Sequence, residues 1–486
     1  MSSTLPDATP NDGLVAVVKR DCPTCEMVVP ALEQIARETP LRVITQDDPA
    51  FPERLEPVHD ETLDLSRALD IEVVPTLLRR KDGEEEARAI GWHREQWQEL
   101  TGVEGLAPKL PVARPGCGSR HLDPEIESRH SAAQVAEKLQ SRRLEIGELE
   151  DPFEACFARG WSDGLPVVPP TPERVARMLS GTSRDPREEL GKVAPQYAVC
   201  SVEKVAVNAV MAGCLPEYLP VVLAAVEAAL TDEFNWHGVA ATTYFAGPIV
   251  IVNGPIAERI GMNSGINVLG QGNRANSTIG RALQLTLRNV GGAVPGGVDR
   301  ATLGNPGKIG LCFAENERDS PWTSLAGERG VDGSAVTLYA GEAPRGVVDQ
   351  QSRHPESLSR SLAATLRTLA HPKLILGFDA LLVISPEHGR VFREAGWTKD
   401  RLRKELNELL LCPASELLRG VDGIAEGLPS DTFEDPENTS VPKFRPDGLW
   451  MTYAGGGAGL FSAIIGGWVN GEMGSQLVTR PVEDPS

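Results

Sequence analysis

Hydrophobic and polar positions alternate in two different rhythms along the first hundred residues. Leu14-Val-Ala-Val-Val reads as a buried strand that runs straight into Asp21-Cys22-Pro23-Thr24-Cys25. Behind the second cysteine, Met27, Val28, Ala31, Leu32 and Ile35 recur at helical spacing. Residues 41–45 form a second strand, 63–69 a short helix, and Pro75 stands at the entry to a further strand. Lys81-Asp82-Gly83 is a hairpin-type turn, followed by a closing strand at 87–90 and a helix at 94–100.

Beyond residue 151 the rhythm changes to apolar helices separated by glycine-rich loops. Thr171-Pro172 starts a helix that Gly181 stops, and Ser201 caps one that Gly213 ends. Residues 219–230 and 277–288 give two more helices, and 402–411 a last one. Strands are expected at 249–252, 308–313, 334–338 and 380–384, with a glycine-rich turn at 455–469. Between the halves, 105–118 is rich in proline and glycine and reads as a linker, and 131–144 as a polar helix. The organisation expected is therefore a polar tail (1–13), a small α/β domain (14–104), a linker (105–150) and a large mixed α/β or α+β domain (151–486).

Composition narrows the partners. The 486 residues carry 48 Lys+Arg against 68 Asp+Glu, a formal net charge of −20, which repels nucleic-acid backbones and anionic lipid. No signal segment and no membrane-length apolar run is visible, so a soluble cytoplasmic protein with reduced cysteines is the expectation. A homo-oligomer is left open. The 48 glycines and 38 prolines point to many well-defined loops.

The sharpest chemical signal is Cys22-Pro-Thr-Cys25 between a strand and a helix. A cysteine at a helix N-terminus gains N–H groups and the dipole, which favour its thiolate. A second cysteine one turn later can resolve a mixed disulfide. The order of elements, Cys22-Pro-Thr-Cys25, Val74-Pro75-Thr76 and Gly91 resembles the thioredoxin family over residues 14–102. That resemblance implies Pro75 as a cis-proline facing the dithiol, and exchange with a thiol reductant or reductase without a cofactor. The sequence departs from the family at the Pro-Thr dipeptide, closer to glutaredoxin-like members, at Asp21 in place of a tryptophan, and in an acidic insertion at 47–61 that would cover one edge. Cys117, flanked by glycines and followed by Arg120 and His121, is a candidate relay between Cys22 and the large domain. Cys200, just before the cap Ser201, is a candidate activated thiol; Cys156, Cys214, Cys312 and Cys412 read as packing.

In the large region, the run from Gly265 to Gly280 feeds a helix expected to be capped by Asn276 or Ser277. Gly272, Arg274, Asn276, Ser277 and Thr278 would make a site for a carboxylate or phosphate group. Gly270-x-Gly272-x-x-Ala275 formally matches a dinucleotide fingerprint, yet no clean strand precedes it and no acidic strand follows. His237 and Glu315 are candidate acid/base groups, and Glu315 and Glu317 would share one face of an extended chain. No metal set is apparent, and no cofactor is indicated. Three segments resemble uncharacterised bacterial proteins associated with thiol- or selenol-dependent redox proteins: 162–171, Met211-Ala-Gly-Cys214 and 272–280. No residue roles follow from that likeness. The expected function is a redox enzyme in which the dithiol passes electrons to a small-anion site. The alternatives are a lyase, hydrolase or sulfur transferase supplied with persulfide or metal, and a non-catalytic binding or scaffold protein.

Overall fold

The computed structural model describes residues 9–123, 126, 135, 136, 138–147 and 150–483. The chain forms two compact units, residues 1–134 and 135–486. Both are mixed α/β, and the larger sheets combine parallel and antiparallel strands.

In the first unit, β1 (Gly13–Val18) lies at the centre of a five-stranded sheet. It pairs in parallel with β2 (Leu41–Thr45), and β2 in parallel with the short β3 (Val58–His59). The expected edge insertion thus contributes a strand of its own. After β4 (Val73–Val74), β5 (Thr76–Lys81) runs antiparallel to β1 and turns into β6 (Glu84–Ile90). α1 (Pro23–Glu38), α2 (Asp64–Ala68) and α3 (Arg94–Thr101) flank the sheet. Leu14, Val17, Val28, Leu32, Ile35, Leu77, Trp92 and Trp97 fill one core, as the apolar periodicity requires.

Residues 105–122 are not a free linker, which corrects the expected boundary at 104. Val103, Leu106 and Ala107 are buried in the same core. β7 (Trp92–His93) pairs with β8 (Ala113–Arg114), and β4 pairs with β9 (Cys117–Gly118). The prolines that suggested a linker dock through their carbonyls: Trp92 Nε1 donates to Pro111 O at 2.7 Å and Thr24 Oγ1 to Pro115 O at 2.7 Å. Proline lacks a donor but keeps its acceptor, so a proline-rich segment can still be tied down. Within the expected helix at 131–144, residues 131–134 and 137 lie outside the described residues, and 139–144 are in no helix.

The second unit opens with α4 (Pro152–Ala158) and α5 (Pro172–Leu179), then a ribbon of β10 (Glu189–Val193) and β11 (Ala198–Ser201). α6 (Val202–Ala212) begins at the cap Ser201 and ends at Gly213, and α7 (Leu219–Ala229) follows. α8 (Trp236–Ala241), β12 (Gly247–Asn253), α9 (Pro255–Arg259) and α10 (Arg274–Gly291) come next. β12 pairs in parallel with β13 (Cys312–Ala314) and antiparallel with β14 (Ala335–Gly341), after the single turn α11 (Leu325–Glu328). β15 (Arg345–Val348), α12 (Pro355–Arg367), β16 (Phe378–Ile384), α13 (Pro386–Glu394) and α14 (Lys399–Leu409) continue the chain. A ribbon of β17 (Leu411–Pro413) and β18 (Ser440–Pro442) precedes β19 (Leu449–Tyr453), β20 (Phe461–Val469) and β21 (Val478–Pro481).

The resulting eight-stranded sheet runs β13-β12-β14-β20-β16-β19, with β21 beside β14 and β15 beside β20. Side chains alternate across it. Val250, Val252, Val336 and Leu338 pack on the layer containing α6, α7 and α10. Ala380, Leu382, Ile384 and Ile464 pack with α12, α13 and α14. Ile249, Ile251, Tyr339, Leu381 and Val383 face the other way into a separate cluster. Two sequence expectations change here. Residues 308–309 belong to a 3-10 turn, so the strand there is only three residues long. Residues 461–469 form β20, because alternation at Ser462, Ile464 and Gly466 outweighs the glycine content. Among the described residues, no helix is long and apolar enough to cross a membrane.

Candidate functional site

Cys22 is the N-cap of α1, and its sulfur accepts the Cys25 N–H at 3.3 Å. Pro23 occupies the first turn, where a missing N–H costs nothing. Cys25 lies one turn on, fully buried, with its sulfur accepting the Lys19 N–H at 3.5 Å. The Val74-Pro75 peptide is cis, and Val74 O stands 3.5 Å from Cys22 Sγ. Opposite Val74, in register across the β4–β9 pair, is Cys117. Cys117, distant in sequence, thus meets Cys22 and Cys25 at one helix N-terminus.

Their acidities diverge. The thiol of Cys25 donates to Cys22, and this is the largest influence lowering Cys22 to about 5 against the desolvation of its site. The Cys117 thiol and the backbone N–H groups of Cys25 and Thr24 add to it. Cys25 is pushed far up by burial and then by the neighbouring Cys22, and Cys117 is raised by its bond to Cys22. A protonated Cys22 donates to Val74 O, whereas a thiolate receives several donors. The thiolate is therefore the favoured state at neutral pH.

Cys22 is only 1% exposed, although sequence reasoning gave no hint of a cover. The segment carrying Cys117 provides it. Gly116 makes the close approach possible: an added Cβ would fall 2.4 Å from Val74 O and 2.5 Å from Val73 Cγ1. Lys19 Nζ donates to Gly118 O at 2.9 Å, and Gln46 Nε2 to Ser119 Oγ at 2.6 Å. Arg120, read from sequence as a group that would favour the Cys117 thiolate, is instead bonded to Gln46 through its N–H and its guanidinium. His121 Nδ1 lies 2.9 Å from Ser119 Oγ.

The large unit rearranges the expected anion site. Asn273, not Asn276 or Ser277, caps α10, and it accepts the Asn276 N–H at 3.0 Å. Asn276 is buried and bonds both Asn263 N and Asn263 O. Thr278 Oγ1 donates to Arg274 O, and Arg274 Nε donates to Gly213 O at 3.0 Å. Gly272 and Ser277 are exposed, Gly272 with φ +115. The polar groups at 273–278 mostly hold the loop itself, so their pattern reflects local folding more than ligand capture.

His237 is exposed at the start of α8, with Nδ1 3.2 Å from the Tyr197 hydroxyl. Glu315 is 5% exposed and accepts from Asn253 Nδ2 at 2.8 Å, Leu325 N at 2.8 Å and Tyr453 N at 3.2 Å. Burial raises its pKa. Glu317 meets it on Asn253 Nδ2 at 3.0 Å, as their shared face predicts. An enclosed carboxylate with three donors has the surroundings of a structural acceptor as well as those of the general base expected from the sequence. None of the hydrogen bonds or ion pairs of Arg274, His237 and Glu315 joins one of them to another. Cys200 is also corrected: it is buried in β11 and pushed up to about 12 by burial. Cys412 is buried in the short strand β17.

The three segments singled out in the large region do converge. Arg281 forms a bidentate pair with Asp163 at 2.8 Å on each arm and also donates to Leu165 O and Pro166 O. Val168 N donates to Met211 O at 3.1 Å, and the Cys214 thiol to Thr278 O at 3.4 Å. Against the pull of burial, Arg281 holds the Asp163 carboxyl below the usual range. Asp163→Ala should free this loop, at a cost of about 1–3 kcal/mol for a half-buried charged pair. Hydrogen exchange should then accelerate at 162–168 and stay unchanged at 219–229.

Beside this junction is a cleft of about 550 Å³, lined in part by Asp163, Trp236, Gln284, Arg288 and Lys308. Lys308 is paired with Asp299, whereas Arg288 bonds Gly160 O and Asn289 Oδ1 and has no acidic partner among the described residues. Gln284 Nε2 is buried without an acceptor among the described residues. Sequence reading missed Arg288 and Gln284 because they sit inside α10 among ordinary helical polar positions. Among the described residues, no group of three or more His, Cys, Asp or Glu is arranged to hold a metal ion. No protein-family model matches the chain, and no curated protein matches it.

Proposed function

We propose that the chain is a thiol–disulfide-coupled redox enzyme, with a thioredoxin-like N-terminal unit and a small-anion site in the large unit. The observation that carries this reading is the Cys22 sulfur capping α1 and accepting the Cys25 N–H, above a buried Cys25. The strand order, with the dithiol opening the first helix and Pro75 in a cis bond, supports the thioredoxin-like assignment.

In the exchange, Cys22 attacks one sulfur of a disulfide and releases the other as a thiolate. Cys25 gives up its proton and attacks Cys22, which forms Cys22–Cys25 and frees the second thiol. Two protein thiols lose two electrons, and the substrate disulfide gains them. High acidity at Cys22 and low acidity at Cys25 suit these two roles: one sulfur is ready, and the other is held in reserve until the mixed disulfide forms. No cofactor enters this step. The electrons would serve a chemical step in the large unit, where the cleft with Arg288 and the unpartnered Gln284 amide suits a small anion better than the loop at 272–278.

Disulfide mapping tests the exchange. Reduced full-length protein mixed with one equivalent of a small disulfide should acquire a Cys22–Cys25 bond as the stable product. Oxidation that settles on other cysteines, with this pair still reduced, would sink the proposal. Arg288→Ala should leave that product unchanged and weaken binding of small carboxylates or phosphates about 10-fold or more, read by calorimetry.

A further inference from the structure

We infer that residues 113–118 are a built-in occupant of the strand-pairing groove beside Pro75. Cys22 would then exchange with Cys117, and the module takes low-molecular-weight disulfides in place of extended protein disulfides. This rests on the exchange reading above and adds the substrate class.

An extended peptide reaching Cys22 would need the backbone groups of β4, because an unpaired strand edge is what recruits such a ligand. Here that edge is already paired, Val73 with Gly118 and Val74 with Cys117. The arm is held on both sides of the cysteine. Pro115 O takes the Thr24 hydroxyl before it; Ser119 N donates to Glu72 O at 2.9 Å after it, and Arg120 closes on Gln46. A peptide would have to break these contacts together. Cys22 is buried, whereas Cys117 is half-exposed, so Cys117 is the thiol that solvent and small solutes meet first.

The chemistry closes without a further reagent. A small disulfide R–S–S–R reacts with Cys117 to give Cys117–S–S–R and one R–SH. The Cys22 thiolate attacks the Cys117 sulfur, forms Cys22–S–S–Cys117 and expels the second R–S⁻, which takes a proton from solvent. Cys25, losing its proton, attacks Cys22 and releases Cys117 as a thiolate, which is then reprotonated. The net result is one Cys22–Cys25 disulfide, two R–SH and Cys117 returned to its starting state.

Single-turnover mixing of the reduced full chain with bis(2-hydroxyethyl) disulfide or with insulin tests this, with the Cys22–Cys25 bond read by mass spectrometry. Cys117→Ser keeps the cover and removes the receiving thiol, so the small disulfide should react about 10-fold more slowly or worse. Gly116→Ala drives a Cβ into Val74 O, lifts the arm, and should speed the reaction with insulin by about 10-fold while making Cys22 alkylable by iodoacetamide. Wild-type rates for Cys117→Ser, or wild-type insulin turnover as fast as that of the small disulfide, would overturn the inference even if Gly116→Ala failed to fold. Failure of either oxidant to produce a Cys22–Cys25 bond would defeat the exchange reading itself, a different result.

Discussion

Reduced protein carrying Cys22→Ser will lose disulfide exchange by about 10³-fold or more, since a hydroxyl at the helix cap cannot replace the attacking thiolate. The rate of the step in which Cys22 itself attacks will follow the titration of Cys22, flat at neutral pH and falling as pH drops through about 5. Ultraviolet thiolate absorbance of the reduced chain should show the same midpoint. A hydrogen bond to a charged group is worth about 1.5–3 kcal/mol, and one pH unit about 1.4, so losing one thiol donor should raise the midpoint by about 1–2 units. Cys25→Ser supplies a replacement hydroxyl donor and Cys25→Ala does not, so Ala should move the midpoint further. Stability is linked in the same direction. The unfolded chain holds a proton on Cys22 that the folded chain has released between about 5 and its ordinary value near 9. This contribution is fully present above the unfolded pKa and is lost as pH falls through the folded one. A reduced chain whose stability showed no dependence on Cys22 over that window would contradict the thiolate.

The dithiol was legible because its chemistry is local. A strand, a capping cysteine and a second cysteine one turn later are all set by spacing within a dozen residues. Cys117 stood out as a thiol between glycines, yet its position was unreadable. That position depends on a strand pair with Val74 and on Gln46, which follows β2 far away in sequence. The error at 105–118 has a specific cause: proline content reports missing donors, and the arm is docked through acceptors. In the large unit, caps at Thr171 and Ser201 and the stop at Gly213 followed from local rules and match the helices observed. The loop at 272–278 reads alike as a site and as a self-capped turn, because Asn, Thr and Arg side chains satisfy backbone groups as readily as ligands. Arg288 and Gln284 acquire meaning only once α10 packs beside the loop carrying Lys308, some twenty residues later.

Glu315→Ala should destabilise the large unit by about 3–5 kcal/mol, a large fraction of the usual 5–15 kcal/mol margin. The carboxylate sits where four elements end. Asn253 closes β12, Leu325 opens α11, Tyr453 ends β19, and Glu315 itself follows β13. Alanine would leave the amide of Asn253 and two backbone N–H groups without this acceptor, each orphaned donor costing about 1–3 kcal/mol before relaxation. Glu315→Gln keeps one carbonyl oxygen but turns an NH₂ toward donors, so a smaller loss of about 1–3 kcal/mol is expected. Denaturant unfolding followed by hydrogen exchange in β12 and β19 would locate the effect, and exchange in β1 and α1 should stay unchanged. The pH dependence has a definite sign. Burial raises the folded pKa, so wild-type stability relative to the Gln variant is greatest below the ordinary value of 4.5 and declines as pH rises through the folded pKa. A general base would behave oppositely in the key respect, since Gln would abolish turnover while leaving unfolding untouched. Glu315 is thus a test of whether a buried carboxylate at strand ends serves chemistry or architecture, and its three donors favour architecture.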